Sequence, residues 1–438
     1  MKRLLILLLC ITSFSISQTE KKKIQIESGI EVTQPKLSYY GSTLAFKYEQ
    51  GGKEYLQFNE KKIGPFEFIS LFTLSPDGSR YVVQYEENGS EYFRVNEKNY
   101  GPFLNTGRVL FSSDSKFFGV VYFKNTEEKY VQVNEKIFGP FDGGSYEVGF
   151  PEHSSSFYFW FNKGKEYFIQ FGDKQIGPFE DEPNPTVSNG YPTLGYSYKK
   201  EKKTYIKVSN ATFGPYDYAY GPYLSKNGSH YAFEFKKEDE TLVHFVGPTK
   251  DNWKTFDGFD KISRLQISDD GSTLSFIYSE NGKQYVFRNE KTYGPYAKVD
   301  DIALSYNGSI LGIRYVKDGS LYARVNDDIV GPIEQVFYPN FSSSGKRIAW
   351  QYVKDGGRYL QVDQITLGPF EECSIPTFLQ DEKNYCFTFQ KKDGTYLQYK
   401  DKKYGPYPWI EYALTKDNRL VFAYQKTGDN FISIEKIK

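Results

Sequence analysis

The sequence predicts an all-β chain in which one four-stranded antiparallel sheet is repeated eleven times. Three observations carry that expectation. The composition holds 39 Tyr and 37 Phe but one Met in 438 residues, and aromatic enrichment favours strands over helices. A Gly-Pro-aromatic tripeptide recurs at nearly constant spacing along most of the chain. Between the tripeptides, apolar runs are punctuated by Asp-Gly and Asn-Gly pairs, which supply the positive φ that two-residue hairpins demand.

Length and charge narrow the classes further. A chain of 438 residues exceeds one ordinary compact domain and suits a repeat array. Its 55 Lys and Arg balance 55 Asp and Glu, so it lacks the basic excess of a nucleic-acid binder. Three histidines leave little material for a His-based metal site or catalytic triad.

The tripeptide stands at Gly64, Gly101, Gly139, Gly177, Gly214, Gly294, Gly368 and Gly405, with Gly331-Pro332-Ile333 and Asp257-Gly258-Phe259 in the two remaining places. Successive copies are 37 or 38 residues apart, except for one interval of 43 between Gly214 and Asp257. A unit before the first copy and another after the last bring the total to eleven.

Each unit reads as four short strands. The first ends in an apolar-Ser pair such as Leu74-Ser75 and is followed by a tight turn, Pro76-Asp77-Gly78-Ser79. The second strand aligns in columns: Leu44, Tyr81, Leu274, Leu311 and Ile348, then the smaller Ala45, Val82, Ser275, Gly312 and Ala349. Three places on, Tyr48, Tyr85, Tyr278, Tyr315 and Tyr352 share an aromatic column. The third strand opens with a tyrosine in nine units, from Tyr55 to Tyr396. A turn such as Asn59-Glu60-Lys61 leads into a fourth strand that ends in the tripeptide.

A repeated four-stranded antiparallel unit of this length is a β-propeller blade, because a lone sheet cannot cover its own faces and stacked neighbours can. Through its Ser75-Pro76-Asp77-Gly78-Ser79 turn and four-strand rhythm, the chain resembles the WD-type, TolB-like β-propeller repeat proteins. The resemblance implies a secreted or periplasmic binding platform, often part of an envelope assembly. The Gly-Pro-aromatic close and the tyrosine columns depart from that pattern.

Closure is expected at the termini. The last unit supplies three strands, around Glu411–Leu414, Leu420–Tyr424 and Phe431–Ile434, and Lys22-Lys23-Ile24-Gln25-Ile26 resembles the missing fourth. Pairing it there removes an exposed edge. Rings usually hold four to eight blades, and the one enlarged connection lies at 247–252. The expected division is therefore two rings, 18–248 with six blades and 253–438 with five, joined by a linker at 249–252. One large ring is the alternative.

Lys2 and Arg3 precede the apolar run Leu4 to Ile11, with small residues at Ser15 and Ser17, the pattern of a signal peptide over 1–17. An uncleaved anchor and a lipidated Cys10 are alternative readings. The run is too short to span a bilayer, and no later segment reaches that length. The expected location is the periplasm, the outer membrane surface or the exterior. Cys373 and Cys386 flank a hairpin whose register should set Cys386 opposite Thr377, which leaves Cys373 beyond disulfide reach.

Catalytic motifs are absent, and nothing implies a cofactor or a metal. One recurrence stands out: the residue after the tripeptide is acidic at Glu67, Asp142, Glu180, Asp217, Asp260, Glu334 and Glu371. A ring gathers these carboxylates on one face, where they suit a cationic protein or peptide segment or a divalent ion; pairing with turn lysines or capping of backbone N–H groups is the structural alternative. Aromatic residues outside the columns, among them Tyr146, Tyr338 and Trp409, add candidate ligand contacts, including stacking on a glycan. The expected function is an exported, non-catalytic scaffold that binds a protein or ligand in the cell envelope. The alternative is a carbohydrate- or peptide-acting enzyme that uses acids on the propeller face.

Overall fold

The computed structural model describes residues 20–25, 30–41, 43–152, 156–379, 381–415, 420–425 and 431–437. The expected signal peptide, Cys10 and His153 lie outside them.

The local chemistry of the turns builds each blade. In the hairpin of residues 75–80, Ser75 Oγ donates to Asp77 Oδ1 at 2.6 Å and accepts from Arg80 N at 2.9 Å. The same serine anchors the hairpins at Ser112, Ser225, Ser268 and Ser305. At the end of the third strand, Asn96 takes φ of 51°, a region Asn tolerates, and its Oδ1 accepts from Tyr81 N at 3.1 Å. That one side chain turns the chain and satisfies the first N–H of the second strand.

Eleven antiparallel sheets result, each with its strands in chain order except the last. Blades 1 to 5 cover 33–66, 68–103, 105–141, 143–179 and 184–216. Blade 6 covers 219–259, and blades 7 to 10 cover 261–296, 298–333, 335–370 and 372–407. Blade 11 takes Ile410–Leu414, Leu420–Gln425 and Phe431–Ile437 and is completed by Glu20–Gln25, with Ile24 opposite Ile432. The N-terminal strand thus closes the final blade as expected.

Second strands are buried on both faces, as where Tyr81 through Tyr85 are all buried. Small residues of one sheet receive large ones of the next, as where Ala45 of blade 1 packs with Phe72, Tyr81 and Val83 of blade 2. The tyrosine columns form a cross-strand stack: the rings of Tyr85 and Tyr92 lie 5.4 Å apart at 13°, and eight other blades repeat the pair with Tyr or Phe. The fourth strand wraps over the outer ring. Gly101 sits there at φ of +128°, and a Cβ on it would stand 2.5 Å from Tyr92 Cδ1. The Gly-Pro bonds of the nine regular tripeptides are cis.

Neighbouring sheets pack in unbroken order from blade 1 to blade 11, and blade 11 returns to blade 1 through Ile24, Leu44, Phe46, Val421 and Ala423. This is the neighbour order of a single ring, and it corrects the expected division into 18–248 and 253–438. Two rings need the strand Lys254–Phe259 to leave blade 6 and close a second circle. Instead it pairs with its own third strand, Thr241 opposite Phe259 and Phe245 opposite Lys254. Blades 6 and 7 also share one core, with Ala232 and Val243 against Leu265 and Phe276. The enlarged connection at 249–252 is no linker. It forms a one-turn 3-10 helix, Lys250–Asn252, and folds back as Trp253 Nε1 donates to Gly247 O at 3.2 Å.

In blade 10, Cys386 lies opposite Thr377 and Cys373 opposite Phe389, and both thiols are free. Burial pushes the Cys386 thiol up to about 12, so it is an inert packing group.

Candidate functional site

First strands form the inner edge of every sheet, and their hairpins point toward the ring centre. The residue after the hairpin serine is Tyr39, Lys226, Asp269, Tyr306 or Ser343 in blades 1, 6, 7, 8 and 9, and Glu152, which follows Pro151, takes that place in blade 4; all six line one cavity of about 810 Å³. Phe378 of blade 10 and Glu411 of blade 11 join them, so eight blades contribute. A second lobe of about 650 Å³ shares Asp269, Tyr306 and Phe341 and extends along the first strands of blades 5 to 9.

Backbone bonds from turn to turn hold this end of the ring. Lys226 N donates to Asp269 O at 3.1 Å, Asp269 N to Tyr306 O at 2.7 Å, and Tyr40 N to Pro76 O at 3.1 Å. These bonds fix the positions from which the cavity side chains project.

The cavity carries both signs of charge. Lys226 Nζ lies 3.4 Å from Asp269 Oδ2. Burial still raises the Asp269 carboxyl above its ordinary value; Lys226 opposes that shift, and Glu152 and Asp270 add to it. Glu411 is open to the cavity yet surrounded by protein, which raises its pKa against the pull of Lys36. Lys36 itself donates to Phe72 O at 2.9 Å, and burial lowers its pKa. Protonation of such wall groups is set by the protein rather than by bulk water.

The seven acids after the tripeptides are exposed, and six of them have partners in the capping and pairing arrangement. Glu67 accepts from Asn88 N at 3.1 Å, Glu180 from Glu201 N at 2.8 Å, Asp260 from Asn281 N at 3.1 Å and Glu334 from Gly356 N at 3.1 Å. Asp142 accepts from Gly164 N, and Asp217 pairs with Lys203. In five blades the acid that opens the blade thus caps the turn between its second and third strands, whereas Asp217 reaches back to blade 5. Glu371 is exposed at the equivalent place. The turn lysines bond to other acids: Lys61 with Glu97, Lys98 with Glu135 and Lys136 with Asp173, each in the following blade.

Among the aromatic candidates, Tyr338 lines the second lobe. Tyr146 is 80% exposed with Lys129 Nζ 4.6 Å from its ring centre, away from the cavity. Trp409 packs on the core between blades 1 and 11 and donates to Gln425 Oε1 at 3.2 Å. Tyr39, Lys226, Asp269 and Tyr306 escaped the sequence reading. Their signal was the position after the hairpin serine, which reads as turn chemistry until the ring closes. His230 and His244, in blade 6, are packing residues against Phe245 and Phe233, with pKa values lowered by burial. Among the described residues, no cluster of three His, Cys, Asp or Glu side chains is placed to hold a metal ion.

Eleven radially ordered four-stranded sheets around a central cavity define a β-propeller repeat protein. No protein-family model matches the chain, and no curated protein matches its sequence. Among solved structures, the Dos1 propeller aligns with a TM-score of 0.35 and 11% identity over 65% of this chain and 90% of that one. TolB from Acinetobacter baumannii gives 0.29 and 11% over 65% and 79%. A prolyl endopeptidase gives 0.33 and 13% over 91% of this chain and 55% of its own. These are distant likenesses, and the propeller assignment rests on the sheets themselves.

Proposed function

We propose that the chain is an exported, non-catalytic propeller that holds a ligand or a partner's segment in the ring-centre cavity. One observation carries this reading: side chains from eight blades converge on a single cavity of about 810 Å³, within the size range of ligand sites, about 300–1,000 Å³. Export is supported by the Lys2-Arg3 start and the Leu4 to Ile11 run. No helix among the described residues is long and apolar enough to cross a membrane. The post-tripeptide acids serve this reading as turn caps that keep the blades in register, and a cationic partner meets them only at the rim.

The test fills the cavity from its wall. Immobilised protein is exposed to detergent-solubilised envelope extract, and capture is compared with that by Ala413→Trp, a change on the first strand of blade 11. Loss of capture with unchanged melting is expected; equal capture by both proteins removes the cavity from the function.

A second reading has one observation in its favour. Asp269 and Glu411 line the same cavity, and burial raises the pKa of both, the direction a general acid for glycosidic cleavage needs. Turnover of a carbohydrate that disappears in Asp269→Asn or Glu411→Gln would establish it over the binding scaffold.

A further inference from the structure

Blade 6 breaks the repeat on its inner edge. Among the described residues its first strand, Ala219–Leu224, is the one first strand with a Gly-Pro pair, Gly221-Pro222. The ladder to the second strand shifts register between Tyr220 and Tyr223, as the same ladder does in blades 1, 2, 7 and 8, so the Gly-Pro pair and not the bulge sets blade 6 apart. Pro222 seats on blade 5, where a Cβ on Gly195 would lie 2.5 Å from Pro222 Cγ. Both tyrosines of this bulge line the second lobe, together with Tyr306 and Tyr338. Tyr220 is 47% exposed, Tyr306 46% and Tyr338 58%.

We infer that this second lobe is a subsite for a neutral oligosaccharide. The inference rests on the ring-centre binding reading and names its ligand. Half-open tyrosines present flat apolar faces together with hydroxyls, the surface that stacks on a sugar ring and bonds to its rim. Between them stand Asn184 and Asn340, amides that donate and accept without charge. The lobe has one carboxylate, Asp269, and Lys226 lies 3.4 Å from it. A strongly charged ligand therefore finds no uncompensated partner there. An extended peptide would bind by adding a strand to a sheet edge. Pro222 and Pro339 lie on the first-strand edges of the lobe, and proline supplies no N–H to such a ladder. Recognition is left to side chains, and their chemistry is that of a polar, uncharged ligand with apolar faces.

The test titrates the protein calorimetrically with maltohexaose, cellohexaose, chitohexaose and xylohexaose, and with hexalysine and hexaglutamate as charged comparators. At least one neutral hexasaccharide should bind with Kd below about 1 mM. Tyr338→Ala should weaken it about tenfold, and Tyr338→Phe, which keeps the ring, should stay within about threefold. Tyr220→Ala is a second variant on another blade with the same expected loss. Failure of all four sugars to bind overturns the inference, and so does binding that is indifferent to both alanine variants. If hexalysine or hexaglutamate binds and Tyr338→Ala weakens it, the sugar falls and the ring-centre reading stands. If nothing binds and Ala413→Trp leaves envelope capture unchanged, both fall.

Discussion

Blade 2 opens its third strand's ring pair with Tyr92 stacked on Tyr85, and Gly101-Pro102 folds over the outer ring. Blade 6 has Leu242 where Tyr92 stands, since Thr241 faces Phe259 as Glu91 faces Phe103. It also has Asp257-Gly258 in place of Gly-Pro, so that Asp257, which already carries a Cβ, stands where Gly101 does. The tyrosine and the tripeptide glycine therefore vary together. The glycine is required by the ring it faces, so the tripeptide and the tyrosine column are one packing device read at two places in the sequence. Blade 6 has lost that device and carries instead the 249–252 turn and the inner-edge Gly221-Pro222 pair.

The largest expected effect tests that pairing. Gly101→Ala forces a Cβ to 2.5 Å from Tyr92 at φ of +128° and should cost about 3 kcal/mol in urea unfolding. Asp257→Ala, at the equivalent place in blade 6, where Leu242 replaces the tyrosine, should change stability by no more than about 0.5 kcal/mol. In the double variant Gly101→Ala with Tyr92→Ala, the losses should fall short of additive. Equal costs at the two positions would break the comparison.

A second contrast is charge. Blade 2 holds Gln84, which donates to Gly107 O at 3.0 Å and accepts from Val109 N at 3.1 Å. Blade 6 holds buried Glu234 at the same place, bonded to Tyr218 Oη at 3.1 Å. Burial raises the Glu234 pKa, against the pull of that bond and of Lys261. A carboxyl raised in the folded state contributes stability that is present at low pH and is lost as pH rises through its folded pKa. Glu234→Gln should therefore stabilise the protein at pH 7 but not at pH 4. Melting scans across that range check it, and a gap that is flat in pH would assign the effect to packing.

Smaller effects are expected at the rim. Amides at Asp142, Glu180 and Asp217 together should lower stability by about 1 kcal/mol, because each is exposed and screened. Unchanged stability with lost partner binding would return these acids to the role of a binding face. The smallest effect should follow proteolytic cutting at 249–252. The nicked chain should stay one particle by size-exclusion chromatography, because Lys254–Phe259 remains paired with blade 6 and Glu20–Gln25 with blade 11. Separation into two particles would restore the six-plus-five division.

The repeat itself was legible because it is local. Strand lengths, hairpin serines, the Asn96-type turns and the tyrosine columns each follow from residues a few places apart, and eleven units follow from counting tripeptides. The closing strand and the separation of Cys373 from Cys386 were also legible, since pairing register follows from turn position. The acids were found as a recurrence, but their bonds were not. Glu67 and Asn88 are 21 residues apart, and only the folded blade shows which of a carboxylate's candidate partners is within reach.

What the tertiary structure alone decided is the ring and its centre. Whether blade 6 packs on blade 7 or on blade 1 depends on small inter-sheet angles summed over many blades, and no single repeat encodes that sum. Tyr39, Glu152, Lys226, Asp269 and Tyr306 look like ordinary turn residues in five separate units. Closure brings them to one cavity, so the sequence determined the blade, and the geometry of stacking eleven of them decided where a ligand has room to bind.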